Sequence, residues 1–516
     1  MSGNWIDLGI VALYALGALG YGLWVSRRVR TSLDYTVAGR QLGMFALVGT
    51  LVMTEFNPST MIWFGSISYT AGPRAAWLCL IFITGLGSYG LLVARRWQRL
   101  QAVSIAEMFE ARYSLGLRRA VSLVTTLILT LFSSGYLIAT SKTFSSALGL
   151  APSGALVPGW ITADRTLVWT ALVISTVVLI FTWAGGLIAV AFTDTASLVV
   201  TVVVLPLLAI SALQFAAPEP LFHSYQAVDP DPILPLHFIV TLNVVILLCY
   251  PLAPWYGQRM FAARSEKTAF AAVAIATLAT TLLYACGQVA TLIYHSHHSG
   301  LQDPDQAVGG AMNLFLGPGI RGLMLAMLFA VCQTTMSSIW NTTSAMVVQD
   351  FYKGWLRPDA SDADQLRVGR KVTLLLGLIT LLLCTTLLGK LLVVINLFGN
   401  TLFAAMFFPC VFGFLWWKAS RRAASVCLAL GWTLGLAVAI YANVLADPVV
   451  PFPVWARWIY VYLMPGICLV GVLVSHLDRP SQEEIRRRVT FFRRVGAPWV
   501  GARDFTSQAQ PPDSTP

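Results

Sequence analysis

The sequence predicts an all-α polytopic membrane protein of about 13 transmembrane helices. Three observations predict it. Apolar runs of about 20 residues follow one another along most of the 516-residue chain. Lys and Arg alternate sharply in abundance from one connecting loop to the next. Two apolar runs are interrupted by proline, and one of them carries a carboxylate, Glu55, near its middle. The composition agrees: 57% of residues are hydrophobic and 11% charged, with a mean hydropathy of +0.72. That balance excludes a soluble globular protein. The net charge of +11 does not point to nucleic acid, because the basic residues sit in short clusters between apolar runs.

The spans fall at about 5–26, 42–70, 75–94, 120–148, 166–184, 189–215, 235–257, 268–294, 318–349, 370–389, 391–417, 423–445 and 455–475. The first, Trp5 to Ser26, is long enough to cross and lacks a basic leader, so it is expected to be a span and not a cleaved signal. One set of loops holds 28 Lys and Arg residues, in clusters around Arg27–Arg40, Arg95–Arg119, Arg259–Lys267, Lys353–Lys371, Lys418–Arg422 and the C-terminal tail. The other set holds five: Arg74, Arg165, Arg321, Lys390 and Arg457. Lys142 stands near the end of a span. The bias places the N-terminus outside and the C-terminus in the cytoplasm, which requires an odd number of spans. Residues 1–477 are expected to form the transmembrane domain. Residues 478–516 form a basic cytoplasmic tail whose end is expected to be disordered. Its run Glu483 to Arg494 could lie on the membrane surface, but a solvated helix is the simpler expectation.

Chemistry concentrates in three places. In span 2, Met53-Thr-Glu-Phe-Asn-Pro-Ser-Thr60 combines a carboxylate with a proline that removes a backbone hydrogen bond. Polar, broken backbone at membrane depth has to face protein or a water-filled cavity. Span 7 carries Pro251 and Pro254, and stands five spans further on, so it enters from the opposite side. Paired discontinuous helices mark a midplane binding site, the alternative being a packing kink. In span 9, Thr334 and Thr335 are adjacent hydroxyls able to offer two oxygens to one small hard cation. Neighbouring Ser337, Ser338, Thr342, Thr343 and Ser344 equally suit helix packing. Asn57, Ser59 and Thr60 follow the break and are candidates to line a solute cavity, with Tyr136 and Trp255 as aromatic walls or as ordinary packing. His295, His297 and His298 cluster in a loop and are expected to be solvated. The eight cysteines stand singly in apolar stretches, with no metal spacing. No phosphate-binding glycine loop or nucleophile–base pair is present, so no enzyme activity and no organic cofactor are expected.

Four further segments complete the pattern: Ser104-Ile-Ala-Glu-Met-Phe-Glu-Ala-Arg-Tyr113, Gly185-Gly-Leu-Ile-Ala-Val-Ala-Phe-Thr-Asp194, Gln258-Arg-Met-Phe-Ala-Ala-Arg-Ser265 and Asn341 through Lys353. In this order, on about thirteen spans, the chain resembles the sodium/solute symporter family of sodium-coupled sugar, proline and pantothenate carriers. The resemblance implies an inverted-repeat (5+5) leucine-transporter-type fold with 42–215 and 235–417 as its two repeats, sodium as the coupling ion, a small organic solute as cargo and the cell membrane as location. It also implies sodium held by the carbonyls of Met53, Phe56 and Val331 and the hydroxyls of Thr334 and Thr335. Glu55 falls where proline carriers have an aspartate important for sodium, and Asp194 matches an aspartate linked to sodium passage. Proton coupling through Glu55 is the rival within the transporter class, and a solute sensor on the same fold is the rival outside it. Beyond the solute and the bilayer, no obligate protein partner is evident.

Overall fold

A computed structural model describes residues 4–27, 29–147, 165–216, 234, 236–250, 254–301, 303–387, 404–440 and 460–509. The described residues form helices and two isolated backbone bridges. They comprise α1 (Asn4–Ser26), α2 (Ser32–Val37), α3 (Met44–Glu55), α4 (Pro58–Ala71), α5 (Leu80–Tyr89), α6 (Arg95–Leu100), α7 (Glu107–Arg112), α8 (Leu115–Ala147), α9 (Arg165–Leu213), α10 (Leu236–Cys249), α11 (Pro254–Ala262) and α12 (Glu266–His297). The second half continues with α13 (Ala307–Phe315), α14 (Ile320–Met346), α15 (Asp362–Leu387), α16 (Ala405–Leu415), α17 (Arg421–Ile440), α18 (Tyr460–Leu477), α19 (Gln482–Val495) and α20 (Ala502–Ala509). Among the described residues, seven helical stretches are long and apolar enough to cross a membrane, and three shorter ones are apolar.

The expected break in span 2 is present. Helix α3 ends at Glu55, and α4 restarts at Pro58 with Asn57 as its N-cap. Proline suits that first helical position, because it lacks the N–H that would be left unpaired there. In span 7, α10 ends at Cys249 and α11 begins at Pro254. Pro254 opens α11, while Pro251 lies outside the described residues. Expected spans 5 and 6 follow one another within α9 as two helical segments that part at Gly186, whose φ of 55° and ψ of −155° belong to a region reserved for glycine. A side chain there would also collide with Tyr35.

Helix α14 lies at the centre, with 94% of its apolar window buried, packed against α1, α8 and α9. Its polar residues are therefore turned to other helices and not to lipid. Asp7 of α1 pins the start of α14 by pairing with Arg321 at 2.6 Å and accepting the Gly319 N–H at 2.8 Å. At the opposite end Asp350 accepts from Ser104, Ser122 and Arg118, tying the loop before α8 to the end of the α14 segment.

The basic clusters are less solvated than their number suggests. Arg112 is fully buried and donates to the carbonyls of Gly413, Trp416, Trp417 and Ala419. The C-terminal segment corrects the expectation of a solvated helix. Helix α19 buries Arg488, Val489, Phe491, Phe492 and Val495, and the following chain accepts from Arg96 at Gly496 and Ala497. Trp417 then donates its N–H to the Val500 carbonyl at 2.9 Å.

Candidate functional site

The helix break in span 2 leaves particular backbone groups free. In a continuous helix the Asn57 N–H would bond the Met53 carbonyl and the Thr60 N–H would bond the Phe56 carbonyl. Here the Asn57 N–H donates to the Tyr284 hydroxyl at 3.0 Å, and the Thr60 N–H donates to Asn57 Oδ1 at 2.8 Å. The carbonyls of Met53 and Phe56 thereby lose their helical partners. The Thr54 carbonyl loses its partner too, and that of Glu55 gains new ones. Pro58 has no N–H to offer Thr54, while the Glu55 carbonyl accepts from Asn57 Nδ2 and the Tyr284 hydroxyl, both at 3.0 Å. Tyr284, on α12, thus splices the two half-helices together.

Helix α3 packs against α9, α12 and α14. On α14, Thr335 Oγ1 donates to the Val331 carbonyl at 2.9 Å, so two of the expected oxygens are already adjacent. Thr334 Oγ1 donates to Asp194 Oδ1 at 2.6 Å, and Thr50 Oγ1 donates to Asp194 Oδ2 at 2.5 Å. Asp194 is fully buried. Close contact between α3 and α9 makes this possible, because Gly49 lies where an added Cβ would come within 2.8 Å of the Thr195 backbone.

Arg259 completes the arrangement and is a correction to the sequence reading, which placed it in a cytoplasmic loop. It is fully buried in α11. Its Nε donates to Thr50 Oγ1 at 3.0 Å and to the Thr50 carbonyl at 3.2 Å, its Nη2 donates to Ser338 at 2.6 Å, and its Nη1 to the Trp255 carbonyl at 3.1 Å. Ser338 in turn donates to the Thr334 carbonyl at 2.6 Å. Thr50, Asp194, Arg259, Thr334 and Ser338 form one network across four helices. Gln258, one residue earlier, bonds the Thr36 carbonyl at 2.7 Å and Thr342 at 2.6 Å. The Gln-Arg pair was quoted as a motif, and that pairing was the available signal for a buried role.

Glu55 lies apart from this network. It is buried, and its Oε1 accepts from the Tyr250 hydroxyl. No hydrogen bond among the described residues joins it to Asp194, Thr334 or Thr335. Tyr136 and Tyr284 lie within its Coulombic reach. Tyr136 meets Phe132 edge-on at 4.9 Å, and the half-buried Trp255 stacks over Phe132 at 6.3 Å. Ser59 is buried and Thr60 half-buried beside the break. The structure thus gathers Asn57, Ser59, Thr60, Tyr136 and Trp255 near the broken helices, and adds Tyr250 and Tyr284, which the sequence reading passed over. No group of three or more His, Cys, Asp or Glu able to hold a metal occurs among the described residues. Of the three histidines expected to be solvated, His297 and His298 are exposed and His295 is half-buried, each ring lying beside an aromatic neighbour: Tyr69 for His295, Phe315 for His297 and Tyr294 for His298.

Residues 35–431 match the sodium:solute symporter family. The chain is 25% identical to the osmoregulated proline transporter OpuE of Bacillus subtilis (strain 168) over 436 residues, covering 80% of this chain and 84% of that protein. It is 25% identical to the sodium/proline symporter of Haemophilus influenzae over 506 residues, covering 92% and 95% respectively. The sodium/proline symporter of Escherichia coli (strain K12) is 24% identical over 446 residues, with 81% and 85% covered. The fold is similar to that of a Na+-coupled sialic acid symporter solved in a substrate-bound outward-open state, with a TM-score of 0.69, 18% identity, and coverage of 92% of this chain and 99% of that one.

Proposed function

The chain belongs to the sodium:solute symporter family, as a multi-pass sodium-coupled carrier of the cell membrane, and on that premise we propose how it holds its two cargoes. Sodium is held by the carbonyls of Met53, Phe56 and Val331 and by the hydroxyls of Thr334 and Thr335, with Asp194 beside Thr334 on the ion's way to the cytoplasm. The observation that carries this reading is the release of the Met53 and Phe56 carbonyls from helical bonding. Oxygens freed in this way, with paired hydroxyls on the packed α14, are a hard-cation ligand set. The solute sits past the break, among Asn57, Ser59, Thr60, Tyr136 and Trp255. Proline is the first solute to test, because the curated relatives are proline carriers. One helix bundle rocks against the other around this fixed site. The N-terminus faces outward, and an impermeant label should reach a cysteine placed at Ser2 but not one at Ser514, in a cysteine-free background.

The test is thermal unfolding of the purified protein in sodium and in potassium. Sodium binding to the native state raises the midpoint by mass action. The expected result is a sodium-specific rise in wild type. Its absence would sink the reading. In proteoliposomes, labelled proline should accumulate under a sodium gradient alone, whereas accumulation under a proton gradient alone would favour Glu55 as a proton carrier.

A further inference from the structure

We propose that Glu55 is the counter-ion of a positively charged nitrogen on the transported solute, and that the tyrosines around it wall an ammonium subsite. The proposal rests on the symport reading above, and it moves Glu55 from the sodium shell to the solute.

A carboxylate in the core of a membrane protein is retained when something neutralises it. Asp194 has Arg259 within Coulombic reach, linked to it through Thr50. Glu55 has no such neighbour: its hydrogen-bond partner is the neutral Tyr250 hydroxyl, and no Lys or Arg among the described residues forms an ion pair with it. The negative charge is available to an incoming cation. Sodium has a five-oxygen set without Glu55, so the solute is the cargo left to meet it.

The surroundings suit an organic cation. Tyr250 stacks on Tyr256 at 5.7 Å with 19° between the rings, and Tyr284 stacks on Phe82 at 4.5 Å with 6° between them. These stacks take a face of each ring and fix the tyrosines in place, so an ammonium group would meet the carboxylate and the Tyr250 hydroxyl oxygen rather than the ring faces. The same site is poorly equipped for the opposite charge. A helix N-terminus ordinarily offers free N–H groups to an anion. At α4 the Thr60 N–H is taken by Asn57 Oδ1, the Asn57 N–H by Tyr284, and Pro58 has none, which leaves the first turn a single N–H, that of Ser59, to offer an anion. Arg259 is committed to Thr50, Ser338 and the Trp255 carbonyl. Recognition at the break is therefore built for the positive end of the solute.

The experiment compares pairs of probes that differ at the nitrogen: choline against 3,3-dimethylbutan-1-ol, and proline against cyclopentanecarboxylate. Binding is read as the concentration giving half of the maximal thermal shift in sodium, for wild type, Glu55→Gln and Glu55→Asp. The sodium response is read separately without solute. In wild type, the nitrogen-bearing member of at least one pair should bind about tenfold tighter or more. Glu55→Gln should reduce that preference to within about threefold while leaving the sodium response unchanged, and Glu55→Asp should fall between the two. No preference in either pair, or a preference that survives in Glu55→Gln, would overturn the proposal. A shifted sodium response in Glu55→Gln would return Glu55 to the sodium shell and also overturn it. A wild type that ignores sodium would refute the symport reading itself, and the nitrogen preference would then be judged on its own.

Discussion

Asp194 and Glu55 are both buried carboxylates in the membrane-spanning core, and both accept from hydroxyl groups. They differ in what stands behind the hydroxyls. Behind Asp194, Thr50 is itself held by Arg259, which also holds Ser338, which donates back to the Thr334 carbonyl. That is a closed circuit, and its negative charge has a resident cation. Behind Glu55, the one hydroxyl donor is that of Tyr250, whose ring stacks on Tyr256. The first arrangement is built to persist through a transport cycle, and the second is completed by whatever arrives. A satisfied buried network rigidifies its surroundings, while a half-satisfied one is costly until filled. The difference separates a framework acid from a cargo acid.

The largest effect should come from cutting the circuit at its cation. Arg259→Ala leaves Asp194 without a counter-charge, and removing one member of a buried charged set costs about 3–5 kcal/mol. We expect little folded protein, or a midpoint far below wild type by thermal unfolding in detergent. Arg259→Lys keeps the charge but loses the planar fork that reaches Thr50 and Ser338 together, so it should be intermediate. Glu55→Gln should fold close to wild type. If Glu55→Gln proved the less stable of the two, the roles assigned to the two acids would be reversed.

Next in size is Thr334→Ala with Thr335→Ala. The pair removes two oxygens and little volume. The sodium concentration for half-maximal stabilisation should rise about tenfold or more, with the nitrogen preference of the solute site retained. Unchanged sodium activation would remove the ion from the Asp194 side of the comparison altogether.

How far the sequence reveals these two regions depends on how local each signal is. The break at Asn57-Pro58 is local, since a proline within an apolar run removes the backbone donor that a continuous helix would need there, and α3 and α4 part at it. Thr334, Thr335 and Asp194 were named as candidates, and Thr334 does meet Asp194. What joins them is not local. Thr50 and Asp194 are 144 residues apart, and Arg259 reaches Thr50 across 209. Counting Arg259 with the loop residues followed from its place at a span end, where most arginines orient the chain and few are buried. Tyr250 and Tyr284 were missed because a tyrosine within an apolar run has no spacing to distinguish a hydroxyl that splices a broken helix from one that packs. Helix α19 was read from its charge. The stripe of Val489, Phe492 and Val495 at helical spacing was there to be seen, and it is the face that docks.

The smallest change that still tells the two regions apart is the loss of one hydroxyl from each. Thr50→Val deletes one of two hydroxyl donors to Asp194 at nearly constant shape, and Arg259 keeps the Thr50 carbonyl. A hydrogen bond to a charged group contributes about 1.5–3 kcal/mol, so the midpoint should fall measurably and sodium activation should weaken. Tyr250→Phe deletes the hydroxyl that holds Glu55 and keeps the ring stacked on Tyr256. Stability should change less, because Glu55 belongs to no circuit that this substitution opens. The freed carboxylate samples more rotamers, and ordering it on binding costs about 0.5–1.5 kcal/mol. The solute's nitrogen preference should therefore weaken about threefold to tenfold while the sodium half-saturation stays at the wild-type value. Two measurements on two variants then give a crossed result, in which each hydroxyl moves one cargo and spares the other. If both variants move the sodium constant by similar factors, the two acids share one ion, and the separation between framework and cargo fails.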